Sequence, residues 1–147
     1  MSTNATWRGH FNQRHNACLN FTLERQNDGA TVAFEGIIDT GFSGFVQIPM
    51  NAASALGLIS PPLQMGATIL ANGAKQPVVL KQVPVTINGD IAHGLCQIPL
   101  TGNSPILIGM DLLRRFQRVL IVSSKQGIFL PQEQDVTISG QTPTQQS

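Results

Sequence analysis

The sequence predicts one mainly β domain, and two observations carry that expectation. Of 147 residues, 41% are hydrophobic and only 12% charged, with 14 Gly and 9 Pro, a balance that suits short strands and many turns better than long helices. Short stretches alternate apolar and polar residues with period 2, and clusters of turn-forming residues separate them. The length is enough to bury roughly two thirds of the unfolded surface, so a single core is expected without help from disulfides or metals.

Taken in order, residues 1–16 form a polar arm whose large apolar groups are Trp7 and Phe11. Such an arm is expected either to fray or to lie across a neighbour's surface. The domain proper is expected over 17–130. Leu19, Phe21 and Leu23 alternate with Asn20, Thr22 and Glu24 as in a half-buried strand, and Arg25 to Gly29 reverses the chain. A second strand, Thr31 to Ile38, leads directly into Asp39. Phe45 to Ile48 resumes β character before Pro49, and Asn51 to Leu56 reads as a short helix closed by Gly57.

Pro61-Pro62 breaks the chain. The segments Ala67 to Ala71 and Ala74 to Val79 flank Asn72-Gly73, a strong signal for a two-residue hairpin turn. Pro77 cannot donate to a ladder, so this hairpin is expected at an edge or projecting from the body, as a mobile flap. Val83, Val85 and Ile87 alternate again, Asn88-Gly89-Asp90 turns, and Ile91 to Leu100 returns. After a loop from Thr101 to Pro105 comes the apolar run Ile106-Leu107-Ile108, which has no polar face and is expected to be buried on both sides. Asp111 is placed to cap a helix over Leu112 to Arg118, and Val119 to Val122 with Gly127 to Leu130 makes a last hairpin. The tail, 131–147, is polar and glutamine-rich and is expected to be disordered or ordered only in an assembly.

Several function classes are disfavoured. A net charge of +1 gives no field for nucleic acid or an anionic membrane, and Arg114, Arg115 and Arg118 read as a solvated helix face. Cys18 and Cys96 have no metal-ligand spacing and no His at a useful distance, and read as buried structural thiols. His10, His15 and His93 are scattered, so neither metal hydrolysis nor Ser-His chemistry is supported, and no metal or cofactor is expected. Without a leader-like segment or a run of roughly 18 apolar residues, the chain is expected to be soluble and cytoplasmic.

The candidate for chemistry is Ile37-Ile38-Asp39-Thr40-Gly41-Phe42-Ser43-Gly44, where an apolar strand delivers a carboxylate onto a turn of small and hydroxyl-bearing residues. Asp28 and Asp90 sit in turns, Asp111 reads as a cap, and Glu133 and Asp135 lie in the tail, so each competes poorly for the role of a second carboxylate beside Asp39. Four features in order then resemble the retropepsin-like, single-lobe (clan AA) aspartic proteases, in their prokaryotic branch. Ile37-Ile38-Asp39-Thr40-Gly41 resembles the catalytic loop, and the hairpin with Ala71, Asn72 and Gly73 falls where the flap belongs. Ile106-Leu107-Ile108-Gly109 resembles the two-hydrophobes-then-glycine motif, and Asp111-Leu112-Leu113 opens the helix after it. The match covers approximately Leu19 to Leu130.

The resemblance implies a closed acid-protease barrel with one or two short helices and an aspartic-type endopeptidase. Two carboxylates held together share one proton, so one acts as base and the other as acid on a water between them. This chain carries one Asp-Thr-Gly, so the resemblance implies a homodimer in which Asp39 of each copy forms the dyad across a two-fold axis. Thr40 is implied to brace the paired loops, Gly41 to let the backbone pass close to the carboxylate, and the flap to close on an extended peptide or protein substrate. Ile108, Gly109 and Asp111 are the implied supporting motif. Retroviral enzymes usually carry Ala or Ser where this chain has Phe42, so their substrate pocket does not carry over. Two alternatives stand beside this reading: a non-catalytic homodimeric peptide-binding or dimerisation module on the same fold, and a monomeric β domain in which Asp39 only orders a turn.

Overall fold

The computed structural model describes residues 5–101 and 103–137. Its strands are β1 (Trp7–Arg8), β2 (His10–Phe11), β3 (Ala17–Glu24), β4 (Thr31–Ile38), β5 (Val46–Gln47), β6 (Gln64–Ile69), β7 (Lys75–Ile87), β8 (Asp90–Pro99), β9 (Leu107–Ile108), β10 (Ile121–Ser123) and β11 (Gly127–Leu130). Two short helices, α1 (Met50–Ala55) and α2 (Met110–Arg115), complete the mainly β architecture, as expected. Neither is long and apolar enough to cross a membrane.

Eight strands pair in the order β2-β3-β4-β9-β5-β8-β7-β6, and a further pairing of β3 with β7 at Thr22 and Thr86 closes six of them into a ring. The closed barrel follows from the alternation in β3, where Leu19, Phe21 and Leu23 point inward and are almost wholly buried. They meet Val83, Val85 and Ile87 of β7, and Ile98 and Ile108 fill the space between. Closure covers the strand edges around the ring except for a short stretch of β7 between its pairings with β6 and β3.

The two Asn-Gly pairs behave differently. Asn88 and Gly89 both have positive φ, and Ile87 pairs with Asp90 across a two-residue loop of the twisted type such hairpins prefer. At the other hairpin the loop holds three residues, Ala71, Asn72 and Gly73. The Gly73 N–H donates to the Leu70 carbonyl at 2.9 Å, the Leu70 N–H donates to the Ala74 carbonyl at 2.8 Å, and only Gly73 has positive φ. The expected two-residue turn is therefore a three-residue one, a tight turn followed by a glycine bulge. The segments around Pro77 and around Val83 to Ile87, read separately in the sequence, form the single strand β7. Pro84 is tolerated because β6 pairing ends at Leu80 and β3 touches β7 only at Thr86, which leaves one edge of β7 open there.

From Ala5 onward the polar arm is paired into the body of the same chain. Trp7 pairs with Leu130 and Arg8 with Phe129, so β1 joins β11 and β10 in a second, three-stranded sheet, and Trp7 is fully buried. Its ring meets Phe116 edge-on at 4.8 Å, and the Arg118 guanidinium stacks 4.2 Å from its centroid. Arg118 consequently leaves the solvated face assigned to it. It is 6% exposed, donates to the carbonyls of Ala5 and Leu130 at 2.8 and 2.9 Å, and lies 3.5 Å from the buried Asp90. Burial pulls the Arg118 pKa below its ordinary value, and the Asp90 charge opposes that shift.

The start of the tail is ordered on the body: Arg118 bridges to Gln132, and Glu133–Asp135 forms one 3-10 turn. The rest of the tail, residues 138–147, lies outside the described residues, as does Gly102.

Candidate active site

The geometry around Asp39 is set by β9. This two-residue strand runs parallel to β4, pairing Ile37 with Leu107 and Ile38 with Ile108, and antiparallel to β5, pairing Val46 with Ile108. It therefore fills the gap between two strands that the loop from Asp39 to Phe45 joins. The apolar run was expected to be buried on both sides; Ile108 is fully buried, but Leu107 turns to the cleft described below.

The loop and the start of α2 satisfy one another. The Asp39 N–H donates to the Ile108 carbonyl at 3.0 Å, which fixes the backbone of the carboxylate. In return, Gly109, Met110 and Asp111 donate to the carbonyls of Phe45, Phe42 and Gly44 at 2.9, 2.9 and 3.1 Å. Those are amides that a helix start leaves without partners, and the loop carbonyls take the place of a side-chain cap. Asp111 is thus not the cap expected from the sequence. The cap position is Gly109, with no side-chain cap bond, and α2 starts at Met110 rather than Leu112. The Asp111 carboxylate instead accepts from Arg114 and from Arg115, the latter at 2.7 Å. Partial burial pushes its pKa up, but hydrogen bonds and charge from Arg115 and Arg114 outweigh that, leaving it below the ordinary carboxylate range.

Two glycines are fixed by close approach. A Cβ on Gly109 would lie 2.0 Å from the Gly44 carbonyl oxygen and 2.8 Å from the Phe42 ring. Gly109→Ala is therefore expected to push the loop away from α2, costing about 1–3 kcal/mol in denaturant unfolding and moving Asp39 with it. An unchanged unfolding midpoint would show that the contact is slack. A Cβ on Gly44 would lie 2.6 Å from the Phe42 ring, so that ring folds over both glycines instead of projecting freely.

Asp39 is half-buried, and its Oδ1 accepts the Gly41 N–H at 2.9 Å; Thr40 and Gly41 are exposed. The carboxylate opens into a cleft of about 690 Å³. Phe42, Gln47, Gln97, Pro105 and Leu107 line its floor and walls, and Thr68 to Ala71 of the β6–β7 hairpin stand over it. Of the three hairpin residues expected at the flap, Ala71 lines the cleft, while Asn72 and Gly73 complete the exposed turn beyond it. Ile108 and Gly109 support the loop from behind.

The sequence reading missed the polar floor. Gln47 is only 7% exposed, donates to the Pro105 carbonyl at 3.1 Å and accepts from Gln97 at 3.1 Å. Its signal was one amide within the otherwise apolar Phe45-Val46-Gln47-Ile48, a residue that must find partners when buried. Gln76 likewise bonds Thr101 across the mouth at 3.1 Å.

No protein-family model and no curated protein matches the sequence. Solved structures do match. A retropepsin-like aspartic protease from Rickettsia conorii superimposes with a TM-score of 0.63 at 20% identity, covering 86% of this chain and 98% of that one. The retroviral protease-like domain of Ddi1 from Leishmania major superimposes with a TM-score of 0.51 at 14% identity, covering 82% and 98%. With its closed barrel, its inserted strand β9 and its hairpin over a carboxylate-bearing cleft, the chain has the retropepsin-like fold.

Proposed function

We propose that the chain is an aspartic-type endopeptidase that works as a homodimer in the cytoplasm. One observation carries this reading: among the described residues lining the cleft Asp39 is the one carboxylate, held half-buried beneath a hairpin by its own backbone and by Gly41. General acid and base roles need two such groups, and a second copy supplies the other through an isologous contact. Thr40, exposed beside Asp39, is available to the facing loop. Ile69 and Leu70 of the flap are 69% and 42% exposed, apolar surface that an extended peptide covers as the hairpin closes. Among the described residues Cys18 and Cys96 are free thiols, in keeping with a reducing compartment.

In the dimer, a water between the two carboxylates is the nucleophile. The ionised Asp39 takes its proton as it attacks the scissile carbonyl, and the protonated partner donates to the developing oxyanion. Proton return to the leaving amine completes cleavage.

The test is turnover of an unstructured protein substrate between pH 4 and 7 across a dilution series. Specific activity is expected to fall on dilution as the dimer dissociates. Activity independent of concentration would remove the shared site. The second reading, a peptide-binding module without turnover, is favoured by Phe42, whose ring occupies cleft wall beside Asp39. Peptide binding with no cleavage at any of these pH values would select it.

A further inference from the structure

On the outer face of the β2–β3–β4 sheet, far along the chain from any cleft residue but Asp39's own strand, three donors of different kinds converge. His10 and Cys18 are direct cross-strand partners, and Glu35 stands opposite Asn20, two residues along β3 from Cys18. Cross-strand partners and i, i+2 neighbours share a face, so all three side chains point the same way. A ring nitrogen of His10, Cys18 Sγ and a Glu35 carboxylate oxygen lie within 4.8 Å of one another, and His10 Nε2 meets Glu35 Oε2 at 2.5 Å. The sulfur is buried beneath the other two, whose side chains are 40% and 53% exposed. The arrangement is a small cup with a thiol at its floor and an imidazole and a carboxylate at its rim.

We propose that this cup is a binding site for a borderline-soft divalent cation of the Zn²⁺ class, held by His10 Nε2, Cys18 Sγ and the Glu35 carboxylate, with water in the fourth position. A thiolate and an imidazole select such an ion over Mg²⁺ or Ca²⁺, which prefer oxygen. Bonds of about 2.0 Å to nitrogen and oxygen and about 2.3 Å to sulfur place tetrahedral donors roughly 3.3–3.7 Å apart. Rotation of the exposed Glu35 and His10 side chains closes the remaining gap. Binding replaces the thiol proton with the metal and releases that proton to solvent; the proton between His10 Nε2 and Glu35 passes to Nδ1 of a neutral ring, or to solvent from an imidazolium, so that the hydrogen bond gives way to two metal bonds. None of the three residues lines the cleft, so the ion takes no part in hydrolysis. It clamps β2 to β3 and β4, three residues after Trp7 enters the core.

Titrating the metal-stripped full chain with Co²⁺ tests this. One equivalent is expected to give a thiolate-to-cobalt absorption band in the near ultraviolet, which Zn²⁺ abolishes by displacement. Cys18→Ser removes the band, while Cys96→Ser keeps it. His10→Gln and Glu35→Gln, both at solvent-accessible positions, weaken binding by roughly tenfold or more and cancel the rise in melting temperature that Zn²⁺ gives the parent chain. Absence of the band in the parent chain overturns the proposal, and so does undiminished affinity in both rim variants. Those two variants decide the matter if Cys18→Ser fails to fold. Because the readouts are spectral and thermal, failure here leaves the peptidase reading untouched, and the reverse also holds.

Discussion

On the proposed mechanism, Asp39→Asn is expected to lower peptide cleavage by about 10²–10⁴-fold or more, while sedimentation gives the same folded assembly as the parent chain. Asn keeps the shape of the side chain and an oxygen for the Gly41 N–H, so the loop has no reason to move. What it loses is the capacity to exchange a proton with water. Co-refolding equal amounts of parent and variant chains sharpens the test. If each site needs one Asp39 from each copy, only the parent homodimer turns over, and activity falls to about a quarter rather than a half. Cleavage that survives in Asp39→Asn, or that falls in simple proportion to the parent fraction, sinks the mechanism.

Trp7→Ala destabilises the fold by about 3–5 kcal/mol in denaturant unfolding, a large share of the stability of a domain this size. The ring is fully buried between Phe116 and Arg118, and its removal leaves a cavity where β1, α2 and β11 meet. Trp7→Phe is the matching control. It keeps the edge-on contact with Phe116 and deletes an indole N–H that has no hydrogen-bond partner among the described residues, so it costs roughly half as much or less. Equal losses for the two variants would mean that the arm is peripheral to the core.

The contrast between Asp39 and Trp7 shows what a sequence exposes. Asp39 was legible because its neighbours repeat a strand-to-turn pattern within a few residues, and the second motif at Ile106 to Asp111 is equally local. Trp7 was not, because its strand is two residues long and its partners, Leu130 and Phe116, lie more than a hundred positions away. Arg118 was misplaced for the same reason: it looks solvated beside its own neighbours and is buried against Trp7 and Asp90, which come from elements far along the chain. Asp111 failed differently. A cap assignment assumes that a helix start must find a nearby side chain, and here the carbonyls of a loop some 70 residues earlier take that role. Cys18 was read as having no useful His, since a hairpin rather than a fixed spacing brings His10 to it.

The insertion of β9 between β4 and β5 also dictates when the site can exist. Ile38 and Ile108 are paired across 70 intervening steps of chain, a non-local contact whose loop must close before it returns any stabilisation. As the chain leaves the ribosome, β3 and β4 can form a hairpin early, yet Asp39 has no fixed backbone until residue 108 has emerged and threaded into place. The carboxylate is then oriented in the same event that starts α2 and seals the barrel. A nascent or truncated chain lacking β9 carries the whole Asp-Thr-Gly loop without the pairing that fixes the backbone of Asp39.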